Sequence, residues 1–278
     1  MDAQMDTKSL ALLEDSLRKT MSSVSGAELD AALADMGWTE MLSDMPEVAI
    51  PLVFRLLGET GSHASILNDV VLRSSRRPTG GIPVLPYAGG VQVIWERAPE
   101  DQAAEWLLED STELRVLGGL PLRRVDEGEL LRLAEARRAL GWWLVGSSRA
   151  MLALARQHAL DRVQFGRPIA GFQSVRHKLA ETLVAIEGAE ATLSLPGAAN
   201  NDLTALLAKA ASGKAALTAA KHCQQVLAGI GFTAEHPLHH HVQRVLVLDK
   251  LLGSSRELTK KAGAGLRARG STPRLAQL

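Results

Sequence analysis

The stretch Ala155–Val175, ARQHALDRVQFGRPIAGFQSV, reads as the end of one amphipathic helix, a tight basic turn and the start of a second helix. Gly166 relaxes the backbone there. Pro168 stops the first helix and biases Arg167 towards an extended conformation. Arg162, Gln164, Arg167 and Gln173 gather polar donors around Phe165. Arginines beside an aromatic ring suit a phosphate with a ring attached, because the planar guanidinium makes paired, charge-assisted hydrogen bonds to phosphate oxygens. An ordinary helix–helix turn with solvated charges is the plainer alternative.

Working outward from this turn, the helical period holds on both sides. Upstream, Glu129 to about Leu160 reads as one long helix, with Leu130, Leu133, Leu140, Trp143, Leu144, Met151 and Leu154 able to face inward. Downstream, Phe172, Val175, Leu179, Leu183, Ile186 and Leu193 mark a second helix, which Pro196-Gly197 breaks. Asn200-Asn201-Asp202 caps a third helix running to about Leu227, and a glycine-containing turn, Ala228 to Thr233, follows. A fourth helix is expected from Pro237 to Ala264, with Val242, Val245, Leu248 and Leu252 inward. Four long helices with short turns read as an antiparallel bundle over residues 129–265, followed by a basic tail, 266–278.

The first half of the chain divides in two. Residues 1–75 read as a small helical domain. Leu10, Leu13 and Leu17 fall at helical spacing, and Ser25 to Glu28 has the form of a capping box. Gly37 suits a helix end ahead of Trp38, Pro51 is placed to open a helix, and Ser62 to Leu72 reads as another short one. Residues 76–128 lose the helical period to Pro78, Gly80, Gly81, Pro83, Pro86, Gly89 and Gly90. Val91–Trp95, Glu113–Leu117 and Leu120–Val125 read there as strands.

Two blocks carry a family resemblance. R-x-x-F-G-x-P-I-x-x-F-Q, here Arg162, Phe165, Gly166, Pro168, Ile169, Phe172 and Gln173, is similar to the carboxy-terminal domain of acyl-CoA dehydrogenases. Gln225–Pro237, QVLAGIGFTAEHP, resembles that family's Q-x-x-G-G-x-G-[FY]-T-x-E-x-P. The resemblance runs from about Glu129 to Gly265 and is fainter over the amino-terminal third, where LADMGWTEML looks like the family's xxGW segment. It implies a mainly α fold with an amino-terminal helical domain, a middle β segment and a carboxy-terminal four-helix bundle. It also implies FAD as cofactor. By the resemblance, Arg162 reaches a flavin phosphate, Phe165 lies towards the adenine end, and Gln225 with the Gly229 backbone reaches the pyrophosphate or ribose of a flavin held by a neighbouring subunit.

The chain departs from the family in two places. Its middle segment, 76–128, is much shortened and lacks the family's flavin-binding stretches, and Trp95 sits in no such context. The second departure is the base. α,β-Dehydrogenation of an acyl-CoA needs a carboxylate within hydrogen-bond reach of the α-proton. The family's glutamate position, fifteen residues beyond Pro237, is Leu252, followed by Gly253-Ser254. The alternative position falls on Ala136, one residue from Glu135, and one residue is a helix rotation of about 100°.

The resemblance with these departures implies the non-catalytic subunit of an α2β2 heterotetramer, with no catalytic residue of its own and FAD shared with a catalytic acyl-CoA dehydrogenase partner. It further implies an acyl-CoA substrate, a bulky steroid side-chain thioester in some members, and an electron-transfer flavoprotein as a candidate electron acceptor. Two alternatives stand beside it: a self-sufficient homodimeric dehydrogenase using Glu135, and a non-enzymatic scaffold or CoA-ester binder.

Composition sets the remaining bounds. Formal net charge is zero, which gives no basic surface for nucleic acid, and no apolar run reaches membrane-spanning length. The single cysteine, Cys223, cannot form an internal disulfide, and the polar start MDAQMDTKSL is no signal peptide, so a cytoplasmic setting is expected. Aromatic residues are only 4% of the 278, which tilts the class towards helix. His236, His239, His240 and His241 invite a metal reading, but no carboxylate or thiol completes a ligand set at a usual spacing, and no metal is expected.

Overall fold

The computed structural model describes residues 7–96, 114–195 and 201–273. Five helices come first: α1 (Thr7–Ser23), α2 (Gly26–Asp35), α3 (Trp38–Asp44), α4 (Pro46–Thr60) and α5 (Leu67–Ser74). A four-stranded antiparallel sheet follows, built from β1 (Val84–Tyr87), β2 (Val91–Trp95), β3 (Leu114–Leu117) and β4 (Leu120–Val125) in the order β1-β2-β4-β3. Then come α6 (Ala134–Asp161), a two-stranded hairpin β5 (Val163–Gln164) and β6 (Arg167–Pro168), α7 (Gln173–Leu193), α8 (Asp202–Leu227), α9 (Leu238–Lys250) and α10 (Ser255–Arg269). Helix α8 packs against α6, α7, α9 and α10, and so forms the centre of the bundle.

The mainly α class and the antiparallel bundle follow the sequence, with several corrections. Pro51 lies inside α4; Pro46 opens that helix, where a fixed φ and a missing N–H cost nothing. Pro51 withdraws the partner of the Glu47 carbonyl, but Glu47 is exposed and water can replace it. Ser25 makes no capping bond to α2; its hydroxyl meets His63 Nδ1 at 2.8 Å and accepts from the His63 N–H at 3.0 Å. The long helix begins at Ala134, not Glu129. The Glu129 carboxylate accepts the Val84 N–H at 3.0 Å and pairs with Arg77, which ties the preceding segment to β1 and leaves Leu130 in solvent. Pro196, Gly197 and Asn200 lie outside the described residues, as does Glu113. Asn201 caps α8 by accepting from Leu203 N and Thr204 N.

The expected fourth helix is two helices. The chain breaks at Leu251–Ser254, with Leu252 at φ +58° and Gly253 at φ +100°. Ser254 and Glu257 then form a full capping box that restarts the chain as α10. Helix α10 packs Leu258 and Ala262 against Leu206 and Ala210 of α8 and runs past Gly265 to Arg269, where Gly270 at φ +70° closes it.

A single core joins the amino-terminal helices, the sheet and the bundle. An aromatic chain threads it. Trp38 meets Phe54 edge-on at 6.2 Å, Phe54 meets Trp143 at 5.9 Å, and Trp143 stacks on Trp95 at 5.8 Å. Helices α4 and α6 approach so closely that the crossing requires two glycines. A Cβ on Gly58 would lie 2.3 Å from the Trp143 carbonyl oxygen, and one on Gly146 would lie 2.1 Å from that of Arg55.

Candidate functional site: two turns at one end of the bundle

The α6–α7 connection is a two-residue hairpin. Val163 pairs with Pro168 and Gln164 with Arg167, leaving Phe165 (φ +52°) and Gly166 (φ +77°) as the loop. Positive φ at both positions is the conformation that matches the twist of a tight hairpin, and Gly166 adopts it without a steric penalty. The constrained backbone pushes Phe165 into solvent, 91% exposed, edge-on to Phe172 at 6.1 Å. Arg167 lies over the Phe172 ring, its guanidinium carbon 4.4 Å from the centroid. The Arg162 backbone is fixed, its N–H donating to the His158 carbonyl and its carbonyl accepting from the Ile169 N–H. The Arg162 side chain is exposed, with no protein partner among the described residues.

Gln225 is exposed in the last turn of α8, and a short 3-10 turn, Ala228–Phe232, leads on towards α9. Nothing lies within 4 Å of where a Gly229 Cβ would stand, and the residue is exposed. Ala228 holds φ +52° and ψ −134°, a conformation suited to glycine. Both turns lie at the same end of the antiparallel bundle, one closing α6 and the other closing α8. His158, near the end of α6, has its pKa lowered by burial first and then by the nearby charges of His236 and Arg162. Phe165 on the first turn and Ile230 and Phe232 on the second are exposed apolar groups, and a groove of about 690 Å³ beside Gln225 is lined by Leu217, Phe232, Val242 and Leu246. Ala228→Gly should relieve part of the strain. It should raise the urea midpoint by an amount equivalent to at most about 1 kcal/mol, because the added unfolded-state entropy offsets some of the gain.

The position fifteen residues beyond Pro237 is closed. Leu252 is fully buried. Its N–H donates to the Pro86 carbonyl of β1 at 2.8 Å, and its carbonyl accepts from Arg137 Nε at 3.2 Å. The fully buried Lys209 fixes the same turn from α8, donating to the Asp249 and Gly253 carbonyls at 2.7 and 3.2 Å. Burial pushes the Lys209 pKa down to about 8. Glu135 is held elsewhere. Its carboxylate accepts from Arg73 at 2.7 and 2.9 Å and from the Ser74 hydroxyl at 2.7 Å. Arg137 and Lys209 were not singled out in the sequence, because neither sits in a motif. Their only sequence signal is a cation at a core-facing helical position.

Of the histidines at 236–241, only His241 is buried in packing. His241 is buried against Gly61, and burial, helped by Arg244, holds its pKa down to about 4. His63 is held down to about 3 by burial and the same arginine. Arg244 donates to the carbonyls of Gly118 at 2.7 Å and Ser62 at 3.1 Å, joining the sheet to α4. Among the described residues no group of three His, Cys, Asp or Glu side chains is placed to hold a metal ion, and no helix is long and apolar enough to cross a membrane.

An antiparallel bundle carrying two exposed turns at one end, with a small sheet set against amino-terminal helices, defines an acyl-CoA dehydrogenase-like fold. The comparison with known proteins agrees. Residues 130–260 match the acyl-CoA dehydrogenase carboxy-terminal domain. The chain is 38% identical over 206 residues to the acyl-CoA dehydrogenase FadE34 of Mycobacterium tuberculosis, covering 68% of this chain and 29% of that protein. The ChsE4-ChsE5 complex of M. tuberculosis is similar in fold, with a TM-score of 0.63 at 16% identity over 99% of this chain and 100% of that chain. The Tcur3481-Tcur3483 steroid ACAD, solved as a variant, has a TM-score of 0.63 at 17% identity over 95% and 98% of the two chains. This chain belongs to the acyl-CoA dehydrogenase family. It spans between 29% and 39% of the length of the first curated relatives it matches.

Proposed function

We propose that this chain is a non-catalytic subunit of a flavin-dependent acyl-CoA dehydrogenase, completing the FAD site of a catalytic partner chain. The observation that supports the reading is Leu252: where the resemblance implies the base, the chain has a buried hydrocarbon in a turn fastened by Arg137 and Lys209. Glu135, the alternative base, is engaged by Arg73 and Ser74 and would have to break three hydrogen bonds to act.

The residues fit one part of FAD and not the other. The Arg162 guanidinium and the Phe165 ring stand open to solvent at the same end of the bundle as the exposed Gln225 and Gly229, a donor set suited to a diphosphate with its adenosine. Among the described residues of the middle sheet, Trp95 is buried against Trp143 and so presents no open ring face to a flavin. When bound, FAD supplies the hydride acceptor of the α,β-dehydrogenation. In this reading Arg162 neutralises phosphate charge, Gln225 and the Gly229 N–H orient the diphosphate, and Phe165 covers the adenine end. The partner chain supplies the carboxylate and the substrate pocket. The likeness in fold to the ChsE4-ChsE5 complex and to the Tcur3481-Tcur3483 steroid ACAD supports an α2β2 assembly and an acyl-CoA with a bulky steroid side chain; a cytoplasmic setting belongs to the same reading. The exposed Phe165, Ile230 and Phe232 then lie under the partner.

Arg162→Ala in the assembled complex should lower flavin retention through gel filtration by about tenfold. That corresponds to losing one charge-assisted phosphate contact of about 1.5–3 kcal/mol. The thermal midpoint of the isolated chain should not move, since the side chain is exposed and unpaired. Unchanged flavin content would count against the shared site.

A further inference from the structure

A second cavity, of about 790 Å³, opens at the other part of the bundle, where the α5 end, the segment before α6, the start of α8 and α10 converge. Its lining is cationic. Arg73, Arg76, Arg132, Arg137 and Lys261 face two carboxylates, Glu135 and Asp202. Glu135 is already bound by Arg73 and Ser74, which cancels that pair and leaves four cations against Asp202. Arg76, Arg132 and Lys261 are exposed and form no ion pair among the described residues. Arg137 is buried and gives only its Nε to the protein, donating to the Leu252 carbonyl.

The backbone adds to the charge. Helix α6, 28 residues long, begins at this cavity with Leu133, Ala134 and Glu135 in the lining, and no side chain caps its first turn. Uncapped N–H groups at the start of a long helix carry partial positive charge and donate to anions. Arg76 holds φ +59°, an uncommon backbone for arginine, at the rim of the same cavity. Burying Arg137 is costly: burial lowers its pKa, and the nearby Asp202 carboxylate, which forms no hydrogen bond to it among the described residues, offsets only part of that shift. An anion in the cavity would offset the cost.

We propose that this cavity binds a small organic or inorganic diphosphate, held by Arg76, Arg132, Arg137 and Lys261 and the open first turn of α6. The volume is within the range for a nucleotide-sized ligand, and forked guanidinium groups match phosphate oxygens. The site is separate from the Arg162–Gln225 turns, so the proposal stands whether or not those turns hold flavin.

The test is isothermal titration of the full chain, alone or in its complex, with pyrophosphate, ADP and free coenzyme A at low and at physiological salt. One saturable site per chain is expected, weakening as salt rises. The double variant Arg76→Gln/Arg132→Gln should bind at least tenfold more weakly while its thermal midpoint stays unchanged, and Arg162→Ala should bind as the natural chain does. Equal affinity for all three probes supports the proposal and assigns simple diphosphate recognition. Tighter binding of ADP or coenzyme A supports it and assigns a nucleotide. Absence of saturable binding, binding no stronger than that of sulfate, or binding indifferent to the double variant would overturn it.

Discussion

Gly146→Val should abolish cooperative folding, or shift the urea midpoint so far that the amino-terminal helices no longer dock on the bundle. Even the Cβ of alanine at this position would stand 2.1 Å from the Arg55 carbonyl oxygen, a backbone atom that cannot rotate away. Overpacking in a close-packed core costs about 1–3 kcal/mol where side chains can yield, and more where they cannot. Gly58 faces the same crossing from α4, its Cβ 2.3 Å from the Trp143 carbonyl, so Gly58→Val should behave alike. The control is Gly188→Ala in α7, where a Cβ would meet nothing within 4 Å. There the same kind of change should stabilise by about 0.5–1 kcal/mol through helix propensity. Opposite signs for Gly146 and Gly188 in chemical denaturation would identify the close crossing as the cause. Tolerance of Gly146→Val would mean the two helices are not in backbone contact.

The second large effect is expected at Trp143. Trp143→Ala should cost about 3–5 kcal/mol, since the side chain is fully buried and fills the space between the amino-terminal helices and the sheet. It stacks on Trp95 and meets Phe54 edge-on, so the cavity left behind would lie at the meeting point of three segments. Trp143→Phe should cost much less. The indole Nε1 is buried with no hydrogen-bond partner among the described residues, and phenylalanine removes that donor while keeping an aromatic surface. Equal losses for the two substitutions in thermal denaturation would mean that the ring contacts are not what stabilises this site.

The sequence disclosed the periodic parts of this fold and missed those decided by close contact. Long apolar periods in α6, α7 and α8 were legible because each helix buries a continuous stripe. The ends of elements were less so. Ser25 has the sequence form of a capping residue, yet His63, distant in sequence, competes for its hydroxyl. Glu129 fits a helix, yet the Val84 N–H and Arg77 draw its carboxylate to the sheet. The break at Leu252 is carried by Gly253 and the Ser254–Glu257 capping box, a local signal that the run of apolar residues around it concealed.

The candidate site shows the same division. Arg162, Phe165, Gln225 and Gly229 stand in two blocks far apart in sequence, and only the resemblance joined them; the structure places both turns at one end of the bundle. Arg137 and Lys209, which fix the turn at Leu252, left no pattern to read. Each is a cation on a buried helix face, satisfied by carbonyl oxygens from a distant turn. The cationic cavity was invisible for the same reason, since its members come from four separated segments.

The flavin content and turnover of this chain, purified alone and co-expressed with a catalytic acyl-CoA dehydrogenase homologue, test the central reading most directly. The account predicts a colourless, inactive protein alone, and a yellow complex with one shared flavin site per pair of chains that oxidises an acyl-CoA. Bound flavin with turnover by the chain alone, or a colourless protein that no catalytic homologue converts to a flavoprotein complex, would contradict it.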